Sequence, residues 1–499
     1  MKKIFLFFVT LLTLSFPLAG LAHASSKEIH APAQHALAPT NFLRVDDEGL
    51  NLNLWFSEKN NKINPLSEIS ENLSNENPNK EDYEDQSKKP VLVFFYDSNL
   101  TNVVAPFDIY DGRYFISQNS DIIFVTADIN LNVSGLTKLQ TQITSTPSFV
   151  KKNDDNEIES AIKSLKWINR NIENYGGDKN NVTLCGENFG ATLVSVLPIV
   201  KEANGLFQKA IINSPILNSS LFKETKTIDA LQNIYDEYGK GTASDIKIIV
   251  SSSSDDVSRL LNLYHLHLAK EADDETFTNT VEKSIQDIYD EEKNYLPGDI
   301  AYNIEEFIAT VKEETNFTTE EILMDVYDKT FFKLPAVKLA IEQSKWNDVY
   351  FLNFENETTP VSSNFSYTMN SNYLLKREKE IATKSNIKVL DKNNLLLYKN
   401  LSTYYTNFVK TGNPNKNYDE EEVNVATASA LVKMEEKKDT WEKFTHNGGE
   451  MLTVSEKIYI SNTPFPENSV KNTETLLKYN ISGPLTPNSL GRYFEDQGN

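Results

Sequence analysis

Cysteine is almost missing from this 499-residue chain, which has Cys185 and no other. No intrachain disulfide can form, so the fold must hold by burying a core, and a chain of this length buries enough without staples. Histidine is scarce as well, with six residues at positions 23, 30, 35, 265, 267 and 446. His265 and His267 stand two apart on an amphipathic stretch, so a helix turns them to different faces and they make no metal pair. Positive charge is in short supply: 49 Lys and Arg against 71 Asp and Glu leave a net charge of −22. Such a polyanion has no electrostatic reason to approach nucleic acid or an anionic membrane, so both are disfavoured as partners and no nucleic acid is expected. A long apolar run occurs once, at the amino terminus, and neither an internal repeat nor heptads are found. The 39% hydrophobic and 11% aromatic content is that of a folded globular protein. No cofactor and no metal are expected.

The amino terminus reads as an export address. Lys2 and Lys3 precede an apolar run from Ile4 to Leu21, and Ala22-His23-Ala24 offers the small residues that signal peptidase needs. Residues 1–24 are therefore expected to be a signal peptide, and 25–499 a single secreted, extracellular domain without a stable membrane span. The polar stretch from Arg492 to Asn499 carries no lipid-anchor signal. Asn-x-Ser/Thr sequons at Asn72, Asn99, Asn132, Asn181, Asn218, Asn316, Asn356, Asn364, Asn400 and Asn480 are candidate glycosylation sites.

After a polar leader at 25–40, Leu50 to Phe56 alternates as a half-buried strand does. Ser57 to Lys89 is so poor in apolar residues that a long surface loop is expected. Val91 to Tyr96 and Ile122 to Ala127 are short continuous apolar runs, which suits strands buried on both faces. From Glu157 to Tyr175, Ile158, Ala161, Ile162, Leu165, Ile168 and Ile172 share one helical stripe, and Gly176-Gly177-Asp178 stops it. Strands follow at Val182–Cys185, Ala210–Asn213, Ile246–Val250 and Val349–Phe354. This alternation is the grammar of an α/β fold with a mostly parallel sheet flanked by helices. Residues 255–343 turn helical and acidic, as an inserted helical lobe would.

The most informative segment runs from Leu165 to Ala191. A helix ends in Gly-Gly-Asp, a strand follows, and Gly186-Glu-Asn-Phe-Gly190 opens another helix. This is the strand–turn–helix setting of a nucleophile elbow, in which the glycines leave no Cβ where strand and helix nearly touch. The segment resembles the type-B carboxylesterase/cholinesterase family. Similar likeness lies at Leu50–Trp55, at Lys89–Phe94, at Tyr110-Asp-Gly-Arg-Tyr114, which resembles a turn, at Asn407–Asn415 and at Trp441-Glu-Lys-Phe444. The resemblance implies an α/β-hydrolase fold. It also implies a Ser–His–acid triad, and here this chain departs from the family.

Asn188 stands where the resemblance places the nucleophilic serine. An amide nitrogen has a delocalised lone pair and cannot carry an acyl group through catalysis. No histidine lies between His267 and His446, although the family's base should follow the Val349–Phe354 strand. The oxyanion loop is altered too: Tyr96, Asp97, Ser98 and Asn99 stand where relatives have glycines. Asp256 is the one position that matches the family's acid. The chain is therefore expected to be an inactive, carboxylesterase-like pseudoenzyme, similar in its missing serine to neuroligins, neurotactin and glutactin. Its expected role is to bind an extracellular protein partner in adhesion, matrix or structural contexts. A carrier of a hydrophobic ligand in a retained esterase pocket is the alternative. A hydrolase with a relocated nucleophile, at Ser98, Ser214, Ser251–Ser254 or Cys185, is the third reading.

Overall fold

A computed structural model of the chain describes residues 40–47, 50–57, 88–96, 111–128, 157–217, 234–253, 309, 312, 318–319, 332–354, 392–415, 440–446, 450–454 and 458–462. The elements in chain order are β1 (Thr40–Asp47), β2 (Leu50–Ser57), β3 (Lys89–Tyr96), α1 (Gly112–Gln118), β4 (Ile123–Asp128), α2 (Glu157–Asn171), β5 (Gly177–Glu187), α3 (Phe189–Val196), β6 (Lys209–Asn213), β7 (Lys247–Ser253), α4 (Leu334–Ser344), β8 (Val349–Phe354), α5 (Lys392–Thr411), β9 (Glu450–Val454) and β10 (Ile458–Asn462). The strands form one sheet in the order β1-β2-β4-β3-β5-β6-β7-β8-β9-β10. The block from β4 to β9 is parallel, and antiparallel pairs close it on either side. The expected α/β architecture is observed.

Alternation along each strand divides the interior into two layers. On β3, Val91, Val93 and Phe95 face one layer, while Leu92 and Phe94 face the other. The first layer is covered by α2, α3 and α4. Ile158, Ala161, Ile162, Leu165 and Ile168 of α2 are all buried there, as their spacing requires. A 3₁₀ turn at Ile172–Tyr175 and the left-handed Gly176 (φ 80°) end this stretch and feed β5. The second layer lies under α1 and α5, where Leu401, Tyr404, Tyr405, Phe408 and Val409 are buried.

Several elements were not read from the sequence. The resemblance gave a turn at Tyr110–Tyr114. The structure corrects this: α1 starts at Gly112, and the Asp111 carboxylate caps it by accepting from the Arg113 N–H at 3.0 Å. Strand β1 begins at the end of the polar leader and pairs along its whole length with β2. Strands β9 and β10 are short and helix α5 is polar on average, so composition alone flagged none of them. The signal peptide, nearly all of the 57–89 segment and most of the 255–343 lobe lie outside the described residues; the end of that lobe belongs to α4, which packs on the sheet rather than apart from it. Among the described residues, no helix is long and apolar enough to cross a membrane, and no cluster of side chains could hold a metal ion.

Trp441 ties the second layer together. Its ring lies 5.9 Å from Tyr350, 5.8 Å from Tyr404 and 6.0 Å from Tyr405, and its indole N–H donates to the Phe351 carbonyl at 3.1 Å. The Asn415 amide holds the Trp441 backbone in both directions, donating to its carbonyl at 2.9 Å and accepting its N–H at 2.8 Å. Trp441→Ala removes the largest fully buried side chain and is expected to cost about 3–5 kcal/mol. A lower urea midpoint at unchanged m-value checks this.

Candidate functional site

The carboxyl ends of parallel strands collect polar side chains from separate loops, and that edge is where α/β sheets take ligands. Here Tyr96 closes β3, Asn188 follows β5, Asn213 and Ser214 close β6, Ser251–Ser253 close β7 and Asn353 stands near the end of β8. All five strands run parallel, so these residues lie along one edge.

Asn188 is the turn between β5 and α3. Its backbone has φ 50° and ψ −109°, a conformation that L-residues rarely adopt and that costs roughly 1–3 kcal/mol. Two sets of contacts hold it there. Its N–H donates to the Asn213 carbonyl at 3.0 Å, and its own carbonyl accepts the Thr192 N–H at 2.9 Å. The Thr192 hydroxyl shares its proton between the carbonyls of Asn188 and Ile216, each at 3.1 Å, while accepting the Ile216 N–H at 3.0 Å. One threonine thus fastens the helix start to the loop after β6.

Steric closure does the rest. A Cβ on Gly186 would sit 2.3 Å from the Gly190 carbonyl carbon and 2.4 Å from its oxygen. A Cβ on Gly190 would sit 2.4 Å from the Phe95 carbonyl oxygen. The two glycines that mark the motif are required because three backbones converge there. The Asn188 side chain makes no capping hydrogen bond to α3.

Below the turn lies a buried polar floor that joins the candidate positions Ser251 and Cys185 to Asn213 and Tyr405, which no sequence motif marks. Asn213 is fully buried, and its Oδ1 accepts from the Ser251 hydroxyl at 2.9 Å and from the Tyr405 hydroxyl at 3.2 Å. Its Nδ2 faces the Cys185 sulfur at 4.0 Å. Burial pushes both the Cys185 thiol and the Tyr405 phenol well above their ordinary ranges, so both stay protonated. A thiol held neutral under the sheet is a packing group and not a nucleophile. Ser251 points its proton at an amide oxygen, which is no base. Ser214 has φ 51°, so a second elbow-like turn ends β6, yet Ser214 is fully buried.

Of the other candidate positions, Tyr96 ends β3 half-buried, and burial together with Asp128 raises its phenol pKa. Asp97, Ser98, Asn99 and Asp256 lie outside the described residues. His446 is exposed beside the Trp441 segment. Among the sequons, Asn400 is half-buried on α5. Asn181 uses the amide nitrogen that a glycan would occupy to donate to the Lys410 carbonyl at 3.1 Å, and its oxygen accepts from Lys209. The remaining sequons, Asn72, Asn132, Asn218, Asn316, Asn356, Asn364 and Asn480, also lie outside the described residues.

Comparison with known proteins places this geometry. The sequence profile of the carboxylesterase family matches residues 17–240 and 233–471. Acetylcholinesterase-1 of Trittame loki is 31% identical over 131 residues, 26% of this chain and 22% of that protein. Carboxylesterase 3B of Mus musculus is 25% identical over 252 residues, 50% of this chain and 42% of its own length. Human neuroligin-3 is 21% identical over 398 residues, 68% of this chain and 46% of its own length. The chain thus spans less than half the length of each of these relatives. The crystal structure of the Geobacillus stearothermophilus carboxylesterase EST55 superposes with a TM-score of 0.55 at 19% identity, covering 86% of this chain and 87% of that one. At that identity it speaks for the fold alone.

Gly190→Ala tests the steric closure. The new methyl has only backbone to displace, so a loss of about 1–3 kcal/mol is expected. Thermal unfolding of the variant beside Ala191→Gly, a change of similar size one residue along, checks that the cost belongs to position 190.

Proposed function

The chain belongs to the carboxylesterase family, and we propose that it is a non-catalytic, exported member that acts by binding an extracellular protein partner. One observation carries the reading: the elbow is built in full, and the side chain it presents is the amide of Asn188. An elbow raises one side chain above the sheet edge so that a base can take its proton. An amide has no proton worth removing and forms no acyl-enzyme. The family matches include ester hydrolases and neuroligins alike, so the family by itself does not decide between turnover and binding. The residue at the elbow favours binding. Loss of nucleophile and base together lowers a triad hydrolase by on the order of a million-fold.

Export rests on the basic, apolar and small-residue segments of positions 2–24, and the charge of −22 supports a partner that is not itself polyanionic. The strained backbone at Asn188 has been kept although a catalytic serine no longer needs it. Its hydrogen bonds to Asn213 and Thr192 give a second reason for keeping it: they join β5, β6 and α3.

Fluorophosphonate labelling of the mature protein tests the proposal, together with turnover of short-chain aryl esters. No label and no turnover are expected from the unchanged protein or from Asn188→Gln. Stoichiometric labelling of the unchanged protein would overturn the reading, and peptide mapping would show which hydroxyl reacts.

A further inference from the structure

At the opposite edge of the sheet, the amino ends of β5, β6 and β7 hold an arrangement unrelated to the elbow. Thr183, Lys209 and Lys247 are register partners on three neighbouring strands. All three point to the second layer, since Cys185, Ile211 and Ile249, each two residues further on, face that layer. Like charges directly opposite each other destabilise a sheet. Here one of the two lysines is also buried, with Lys209 only 5% exposed.

An ammonium has three N–H donors. Lys209 spends one on the Asn181 amide oxygen, a neutral acceptor. Lys247 reaches Asp348 at a loose 3.8 Å, and that carboxylate is shared with Lys443 at 2.8 Å. The Thr183 hydroxyl is fully buried and has no hydrogen-bond partner. The two lysine chains converge under Gly412, just beyond α5. A Cβ built on Gly412 would lie 3.4 Å from Lys247 Nζ and 3.5 Å from Lys209 Cδ. The row therefore holds two lysines and an orphaned hydroxyl donor, and of the three only the Lys247 side chain reaches solvent, at 39% exposed.

We infer that Thr183, Lys209 and Lys247 form a site for a small inorganic anion, of chloride size, at the base of the sheet. Such an ion accepts from N–H and O–H donors alone. It would take the spare donors of Lys209, give the Thr183 hydroxyl an acceptor and screen the lysines from each other. The oxygens already present, Asn181 Oδ1 and the Lys410 carbonyl, favour a single negative charge over a multiply charged oxyanion. The charged groups acting on Lys209 from the surrounding elements are Lys247 of β7 and Asp178 of β5. Burial and then Lys247 pull its pKa down to about 7, and Asp178 opposes them. Protonation of the folded state is thus disfavoured relative to the unfolded chain. Stability is lost as pH falls from the ordinary lysine range towards 7, and stays low below it. A bound anion offsets this loss, and binding weakens by about tenfold per pH unit above 7 as Lys209 gives up its proton.

The site is independent of the elbow and of any partner, so its failure leaves the proposed function untouched. The test is thermal unfolding of the full chain at pH 6.5, with gluconate replaced by chloride at constant ionic strength to hold general screening fixed. A saturable rise in Tm of about 2–4 °C is expected, shrinking at pH 8.5. It should vanish in Lys247→Gln, a half-exposed position that tolerates the change, and in Lys209→Met if that variant folds. No saturable rise in the unchanged protein would overturn the inference, and so would an equal rise in Lys247→Gln.

Discussion

Three backbones meet at the start of α3, and most of the molecule's geometry is arranged around that meeting. Gly186 of β5 lies against Gly190 of α3, and Gly190 lies against the carbonyl of Phe95 in β3. No side chain larger than hydrogen fits at either glycine, so the helix sits closer to the sheet than packed side chains would permit. This fixes where α3 leaves the sheet, which layer it covers and which residue crowns the turn. The cost is a strained Asn188, and it is met locally by backbone bonds to Asn213 and Thr192. Nothing in this closure requires a nucleophile. The turn therefore stands as architecture whichever side chain crowns it.

Beneath the turn, a buried amide does what a hydrophobic side chain could not. Asn213 gives its carbonyl to the elbow and its side-chain oxygen to Ser251 and Tyr405. It thereby links β5, β6, β7 and α5 through one residue. A polar group buried this deeply is tolerable only when its partners are in place, so the arrangement specifies how α5 sits on the sheet as well as stabilising it. Trp441 packs on the same helix through Tyr404 and Tyr405 and on β8 through Tyr350.

The two edges of the sheet carry opposite electrostatic problems. The carboxyl edge collects polar groups, and burial, with Glu187 nearby, keeps the Cys185 thiol and the Tyr405 phenol protonated. The amino edge buries a lysine beside a second lysine in a chain whose overall charge is −22. Excess acid elsewhere does little for Lys209, since charges separated by more than about 8–10 Å of salty water hardly interact. Local donors and acceptors decide its state.

How much was legible in the sequence follows from how local each signal is. Glycines at 186 and 190, the stripe from Ile158 to Ile168 and the apolar runs of β3 and β4 are local patterns, and they determined the fold class, the elbow and the identity of its central residue. The absence of a hydroxyl at 188 needed no structure. Strands β1, β9 and β10 and helix α5 went unread because their stability comes from neighbours far along the chain and not from their own composition. The same holds for the floor under the elbow. Asn213 and Tyr405 carry no motif, Ser251 is only one of several candidate hydroxyls, and the three meet only because β6, β7 and α5 pack together. Thr183, Lys209 and Lys247 are scattered over more than sixty positions, and the parallel register alone sets them in one row. The sequence by itself decided what the turn presents. Tertiary structure decided which distant side chains share its environment, because a sheet's register brings together residues that no sequence window contains.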